Sequence, residues 1–323
     1  MLPVRLFVRP FSSGIESKPL CGVTVVALEQ AISAPLCTRH LADLGARVIK
    51  IERHGEGDYC RTLDRKMQGL SSHFVWVNRG KESICVDVKK PAGVAVVQDL
   101  VKSADVFIQN LAPGAAARLG LGTETLRERH PQLIACSISG YGPSGPYYQK
   151  KAYDLLVQGE SGLVSITGTE DGPSKVGIPI ADIASGMYAF SGILSALYVR
   201  ATKGVGNSFE VSMLDSLGDM MGYPFNASQY TEEEIPRRGS FHASISPYGP
   251  FATGDGKGIL VAVQSNREWK SFCEGVLRRP ELVSAEKFVD NSARVRNRSE
   301  LHSLIQDIFK TMTLEEAESR LER

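Results

Sequence analysis

The chain has 323 residues, 42% of them hydrophobic and 23% charged, the profile of a globular protein with one large or two modest cores. Its 37 basic and 36 acidic residues leave a formal net charge of +1. No global field therefore recruits nucleic acid or an anionic membrane, and any anion site has to be built locally. With no apolar run of about 20 residues read from the sequence, no transmembrane helix is expected.

In chain order, residues 1–18 come first. Arg5 and Arg9, the serines Ser12 and Ser13 and the lack of acidic residues before Glu16 fit either a mitochondrial transit peptide or a disordered tail. The expected location is accordingly mitochondrial, or otherwise cytoplasmic. From there strand-like and helix-like segments alternate. Val23–Leu28 reads as a strand, Ala34–Leu44 as a helix stopped by Gly45, and Arg47–Glu52 as the next strand. Ser83–Val88, Asp105–Gln109 and Leu133–Ile138 continue the strands, with a helix over Pro91–Ser103. This pattern predicts an α/β fold, a Rossmann-like parallel sheet with flanking helices. GxGxxG is missing after the first strand, so a nicotinamide site is not supported.

Ser139–Tyr148 and Gly159–Gly177 are Gly-rich and read as loops. A long apolar helix follows over Ile183–Thr202, then a strand over Ser208–Ser212 and a helix over Met213–Gly222. Thr231–Gly239 reads as a linker. Beyond it, two apolar strands flank Gly254-Asp255-Gly256, a hairpin signal that opens a smaller second α/β domain. The expected domains are thus 19–230 and 231–323. The six cysteines, Cys21, Cys37, Cys60, Cys85, Cys136 and Cys273, show no CxxC spacing and read as free thiols in a reducing compartment.

An ordered series of short motifs carries a resemblance. It begins with Val25-Val26-Ala27-Leu28-Glu29, Ala34-Pro35 and Leu41-Ala42-Asp43-Leu44-Gly45-Ala46-Arg47-Val48-Ile49-Lys50-Ile51-Glu52, and continues through Gly57-Asp58 and Asn78-Arg79-Gly80-Lys81. Asn110-Leu111-Ala112-Pro113-Gly114, Ser139-Gly140-Tyr141-Gly142, Tyr153-Asp154 and Asp182-Ile183-Ala184-Ser185-Gly186 follow. Each piece alone is weak, but the series from about Pro19 onward resembles the class III (CaiB/BaiF) CoA-transferases. Arg238-Gly239, His242 and Pro247-Tyr248 resemble its dicarboxylate-handling branch, the branch of succinyl-CoA:glutarate transfer.

The resemblance implies an enzyme that moves CoA from an acyl-CoA to a small carboxylic acid through a covalent aspartyl intermediate. It picks Asp182 as the nucleophile. From the residues alone, Asp182 reads as a helix N-cap rather than a nucleophile, and only the resemblance reverses that. An ionised nucleophile is required, so an unperturbed or lowered pKa is expected for it. Asp154 is read as a helper or a structural carboxylate. By family position Arg53, Lys89, Asn110, Leu111, Arg118 and Lys151 would contact CoA, whose phosphates need basic groups. CoA enters as a thioester substrate; no prosthetic group or metal is expected. The family also implies a homodimer.

Two alternatives accompany this reading. An α-methylacyl-CoA racemase is disfavoured because Ser139-Gly140-Tyr141 offers no histidine, and a non-catalytic CoA-binding protein is the other. Typical members continue beyond a segment like Glu315–Arg323, so the resemblance implies a C-terminally shortened chain. A polar residue common near the first helix is Ile32 here.

Overall fold

The structure, a computed structural model, describes residues 18–231 and 234–322. The transit-peptide reading therefore falls outside the described residues, apart from Lys18. The described chain forms two compact units. One runs up to Leu163 and resumes over Lys175–Tyr230; the other joins Val164–Ser174 to the residues from Thr231 onward.

The first unit is built on a sheet of six parallel strands: β1 (Thr24–Leu28), β2 (Arg47–Arg53), β3 (Glu82–Val86), β4 (Val106–Gln109), β5 (Ile134–Ser139) and β8 (Asn207–Ser212). The two intervening strands, β6 (Gly168–Thr169) and β7 (Gly172–Pro173), make a small hairpin in the second unit. The sheet order is β3-β2-β1-β4-β5-β8. Its central strands β1, β4 and β5 are buried on both faces because helices cover both. Val25 and Ala27 enter one core, with Ala34 and Leu41 of helix α1 (Ser33–Asp43). Val26 and Leu28 enter the other, with Val97 and Val101 of α3 (Pro91–Lys102); α2 (Ser72–Asn78) lies between these helices in the sequence.

The strand order reverses between β1 and β4, and in such sheets ligands bind in the crevice beyond the carboxyl ends of the two diverging strands. The chain leaves β1 at Glu29–Ile32 and leaves β4 at Asn110–Pro113. Both loops are therefore placed at the crevice by topology alone.

Short helices α4 (Ala115–Arg118), α5 (Thr123–Arg129), α6 (Asp154–Glu160) and α7 (Leu163–Ile166) lead to the 24-residue α8 (Ile180–Lys203), then to α9 (Met213–Met220) and α10 (Gly222–Thr231). α8 buries Ala181, Ala184, Ser185, Gly186, Ala189, Ile193 and Ala196. These small side chains let it press against the start of α1: a Cβ on Gly186 would stand 2.6 Å from the Ser33 carbonyl oxygen. Contrary to the sequence expectation, α8 is long and apolar enough to cross a membrane. Its small-residue face instead lies in the core of the first unit, which accounts for the apolarity.

In the second unit β9 (Tyr248–Ala252) and β10 (Gly258–Ala262) pair antiparallel. They pack with α11 (Asn266–Ser271), α12 (Asn291–Arg296), α13 (Arg298–Phe309) and α14 (Leu314–Leu321) around Trp269, Phe272 and Phe309. The sequence pattern assigns 164–174 to the large domain. The structure assigns it to the second unit: hydrogen bonds from Arg237 to the Thr169 and Ser165 carbonyls, and from the Gly239 amide to Gly168, tie it there.

Candidate active site

A cavity of about 580 Å³ opens at the switch point of the sheet. Gln30, Ala31 and Ser33 line it from the β1–α1 turn, and Asn110 and Leu111 from the end of β4. Tyr59, Lys151, Tyr153, Asp154 and Asp182 are among the polar and aromatic residues of its wall.

Asp182 lies in the first turn of α8, where a helix N-terminus ordinarily caps a carboxylate. The structure gives that task to another residue. Asp154, the first residue of α6, accepts the Ala181 amide at 2.8 Å and the Asp182 amide at 3.4 Å through Oδ1. Its Oδ2 takes an N–H from Gln158 at 2.6 Å. Among the described residues none donates a hydrogen bond to the Asp182 carboxylate, which lines the cavity. Burial first, and then the nearby Asp154 charge, push Asp182 up to about 7. The expectation of an unperturbed or lowered pKa is thus overturned, because the amides that would have stabilised the charge are occupied by Asp154. A carboxylate that ionises near neutrality and is poorly solvated is a stronger nucleophile than a surface aspartate.

A second cavity of about 330 Å³ lies over the ends of β1, β2 and β3. Arg53 and Lys89 line it, and Gln30, Leu111 and Arg118 line both cavities. The two spaces thus share one wall. Of the residues singled out from the sequence, Asn110 and Lys151 stand with Asp182, Arg53 and Lys89 stand in the neighbouring space, and Leu111 and Arg118 border both. Asn110 is already engaged: its side-chain oxygen accepts the Gln30 amide at 2.9 Å, and its N–H groups reach the Gln30 carbonyl at 2.8 Å and Ser33 Oγ at 3.2 Å.

Beneath the β1–α1 turn lies a buried charge network. Lys50 Nζ reaches Asp58 Oδ2 at 2.9 Å and Glu29 Oε1 at 3.4 Å, and Lys81 Nζ reaches Glu29 Oε1 at 2.7 Å. Burial opposes the Glu29 charge, but Lys81, Lys50 and the Thr38 hydroxyl outweigh it and hold the carboxyl below its ordinary value. Burial brings Lys81 down to about 8. Beside them, burial also opposes ionisation of Glu52. The Arg61 guanidinium, Ser83 and the Asp58 amide prevail, setting Glu52 at about 2. Asp58 precedes Tyr59, so this network fixes the loop that carries Tyr59 into the cavity. Burial and then the Asp182 charge push the Tyr59 phenol up to about 12.

The family model for CoA-transferase family III matches residues 20–323. The chain belongs to CoA-transferase family III. It is 38% identical over 304 residues to a human succinyl-CoA:glutarate CoA-transferase, spanning 94% of this chain and 69% of that one. A succinate–glutarate CoA-transferase of Agrobacterium fabrum is 36% identical over 296 residues, 89% of this chain and 73% of the relative. The solved structure of a CaiB/BaiF family protein from Brucella suis superposes with a TM-score of 0.81 at 34% identity, covering 95% of this chain and 82% of that one.

As a family III CoA-transferase the chain acts on CoA thioesters, and among the described residues no His/Cys/Asp/Glu group is arranged to hold a metal. All six cysteines are unpaired. Sequence reasoning does not single out Gln30, Ala31 or Tyr59 for the cavity. The charged network does leave a signal: Lys50 interrupts the otherwise apolar Val48-Ile49-Lys50-Ile51 of a strand buried on both faces, where an unpaired ammonium would be prohibitive.

Proposed function

We propose that this family III transferase moves CoA from succinyl-CoA or a similar acyl-CoA to a small dicarboxylic acid, with Asp182 as nucleophile. The observation that carries the reading is a carboxylate at the wall of the switch-point cavity with no donor to it among the described residues. The ionised Asp182 attacks the acyl carbonyl, giving an acyl-aspartyl anhydride and CoA thiolate. The thiolate attacks the aspartyl carbonyl, leaving an aspartyl-CoA thioester and releasing the donor acid as carboxylate. The acceptor carboxylate attacks that thioester, again giving an anhydride and thiolate. Attack of the thiolate on the acceptor's carbonyl frees Asp182 and the new acyl-CoA. No net proton moves, and each step exchanges groups of similar energy.

The neighbouring cavity suits the nucleotide end of CoA, with Arg53, Lys89 and Arg118 available to its phosphates and Lys151 nearer the reacting end. The dicarboxylate preference rests on the activities named for the human and Agrobacterium relatives.

Mass spectrometry of the protein incubated with succinyl-CoA tests the reading. A CoA adduct is expected on the peptide containing Asp182, discharged by an added dicarboxylic acid with formation of its CoA ester. Binding of CoA with no adduct and no turnover across a panel of acids would leave only a CoA-binding protein.

The same reading includes a homodimer. Met187, Tyr188 and Tyr198 of α8 are exposed, as are Met220, Tyr223 and Phe225 of α9 and α10, an apolar display that favours association. Sedimentation is expected to give twice the chain mass; a monomer at micromolar concentration would contradict it.

A further inference from the structure

The turn from β1 into α1 holds an unfavourable backbone conformation. Ala31 has φ of 60°, in the left-handed region that a Cβ disfavours. Such a residue persists only when its surroundings over-determine it. Two side chains distant in sequence do so here. Asn110, one residue past β4, brackets Gln30 by pairing with both its amide and its carbonyl. Asp58 accepts the Ala31 amide at 3.1 Å and the Cys60 amide at 2.9 Å through Oδ1, while its Oδ2 is held by Lys50 at 2.9 Å. The clamp is therefore anchored to the buried network on one side and to the switch-point strand on the other. Gln30, Ala31 and Ser33, the residues it orients, line the cavity that contains Asp182.

We propose that Asn110 and Asp58 are positioning residues that hold Ala31 in its left-handed conformation and so shape the cavity wall against which the thioester is presented to Asp182. The inference rests on the transferase reading. It also assigns Asn110 a different role from the CoA contact that family position suggests, since both of its N–H groups are taken within the protein. Were Asn110 to bond the ligand directly, its truncation would weaken binding whatever residue stands at position 31. A conformational defect is instead relieved by glycine, which adopts positive φ without the Cβ penalty.

A double-mutant cycle separates the two. Asn110→Ala is expected to lower kcat about tenfold, with KM for the acyl-CoA changed by less than about twofold. Adding Ala31→Gly should recover about fivefold, measured against the effect of Ala31→Gly alone. Hydrogen exchange gives a readout independent of turnover: the Ala31 amide, whose acceptor Asp58 is untouched, should lose protection in Asn110→Ala and regain it in the double variant. Asp58→Asn weakens acceptance of the Ala31 amide and also breaks its ion pair with Lys50, and should lower kcat in the same way. A raised KM with kcat intact, or a double variant no better than Asn110→Ala, overturns the proposal. If the wild-type protein transfers nothing, the transferase reading fails, and the exchange measurement still decides the clamp: unchanged protection of the Ala31 amide in Asn110→Ala overturns it.

Discussion

Asp182→Asn is expected to reduce CoA transfer by at least about a thousandfold, to abolish the CoA adduct, and to make the protein more stable at pH 8. The first two effects follow from removing the only group proposed to bond to the acyl carbon. The third follows from linkage. Burial and Asp154 raise the carboxyl of Asp182 from 3.8 to about 7, so between those values the folded protein binds a proton that the unfolded chain has released. Stability therefore falls as pH rises across that interval, and the penalty is fully present above pH 7. The neutral amide does not incur it, so Asp182→Asn should gain on the order of 2–4 kcal/mol at pH 8 and almost nothing at pH 4. Denaturant midpoints at the two pH values measure this. A variant that loses activity but gains no stability at pH 8 would mean the carboxylate is well solvated, and the account of its reactivity would fail. In the same frame, wild-type turnover should rise with pH through about 7 as Asp182 ionises.

This trade between stability and reactivity depends on a contact that no local pattern reveals. The Asp-x-x-x-Gly step at the start of α8 is legible because an apolar run follows it, and local rules make Asp182 its own helix cap. The cap is Asp154, 28 positions earlier relative to Asp182, on a seven-residue helix that no sequence pattern draws. α6 is short, carries an internal glycine, and shows little periodicity; tertiary contact stabilises it. The direction of the Asp182 shift is hidden too, since the sequence shows the helix dipole but neither the burial of the carboxyl nor the approach of Asp154.

The parallel sheet is legible because strands covered on both faces must be almost wholly apolar. Val25-Val26-Ala27-Leu28 and Val106-Phe107-Ile108 have no other stable location. The 164–174 segment is not legible, because a Gly-rich stretch gives no sign of which unit will bind its backbone groups. Asn110 illustrates a third limit. Its position at the end of β4 can be read from the sequence, whereas its partner Gln30, 80 residues earlier, cannot. The motif therefore identifies where the residue stands but not what it does there.

Lys50→Met is expected to destabilise the protein by about 3–5 kcal/mol at neutral pH, the usual consequence of removing one member of a buried ion pair. Lys50 is 1% exposed and stands between Asp58 and Glu29. Without it Glu29 keeps Lys81 at 2.7 Å, but Asp58 retains only the amides of Ala31 and Cys60. That leaves a buried carboxylate without its countercharge. Adding Asp58→Asn removes the uncompensated charge and should recover part of the stability despite being a second change in the same cluster. Urea midpoints with an unchanged m-value would report these differences as stability. A loss below about 1 kcal/mol, the range of surface pairs, would mean water reaches the network. The Gln30–Ala31 turn would then lack the rigid floor on which the shape of the Asp182 cavity depends.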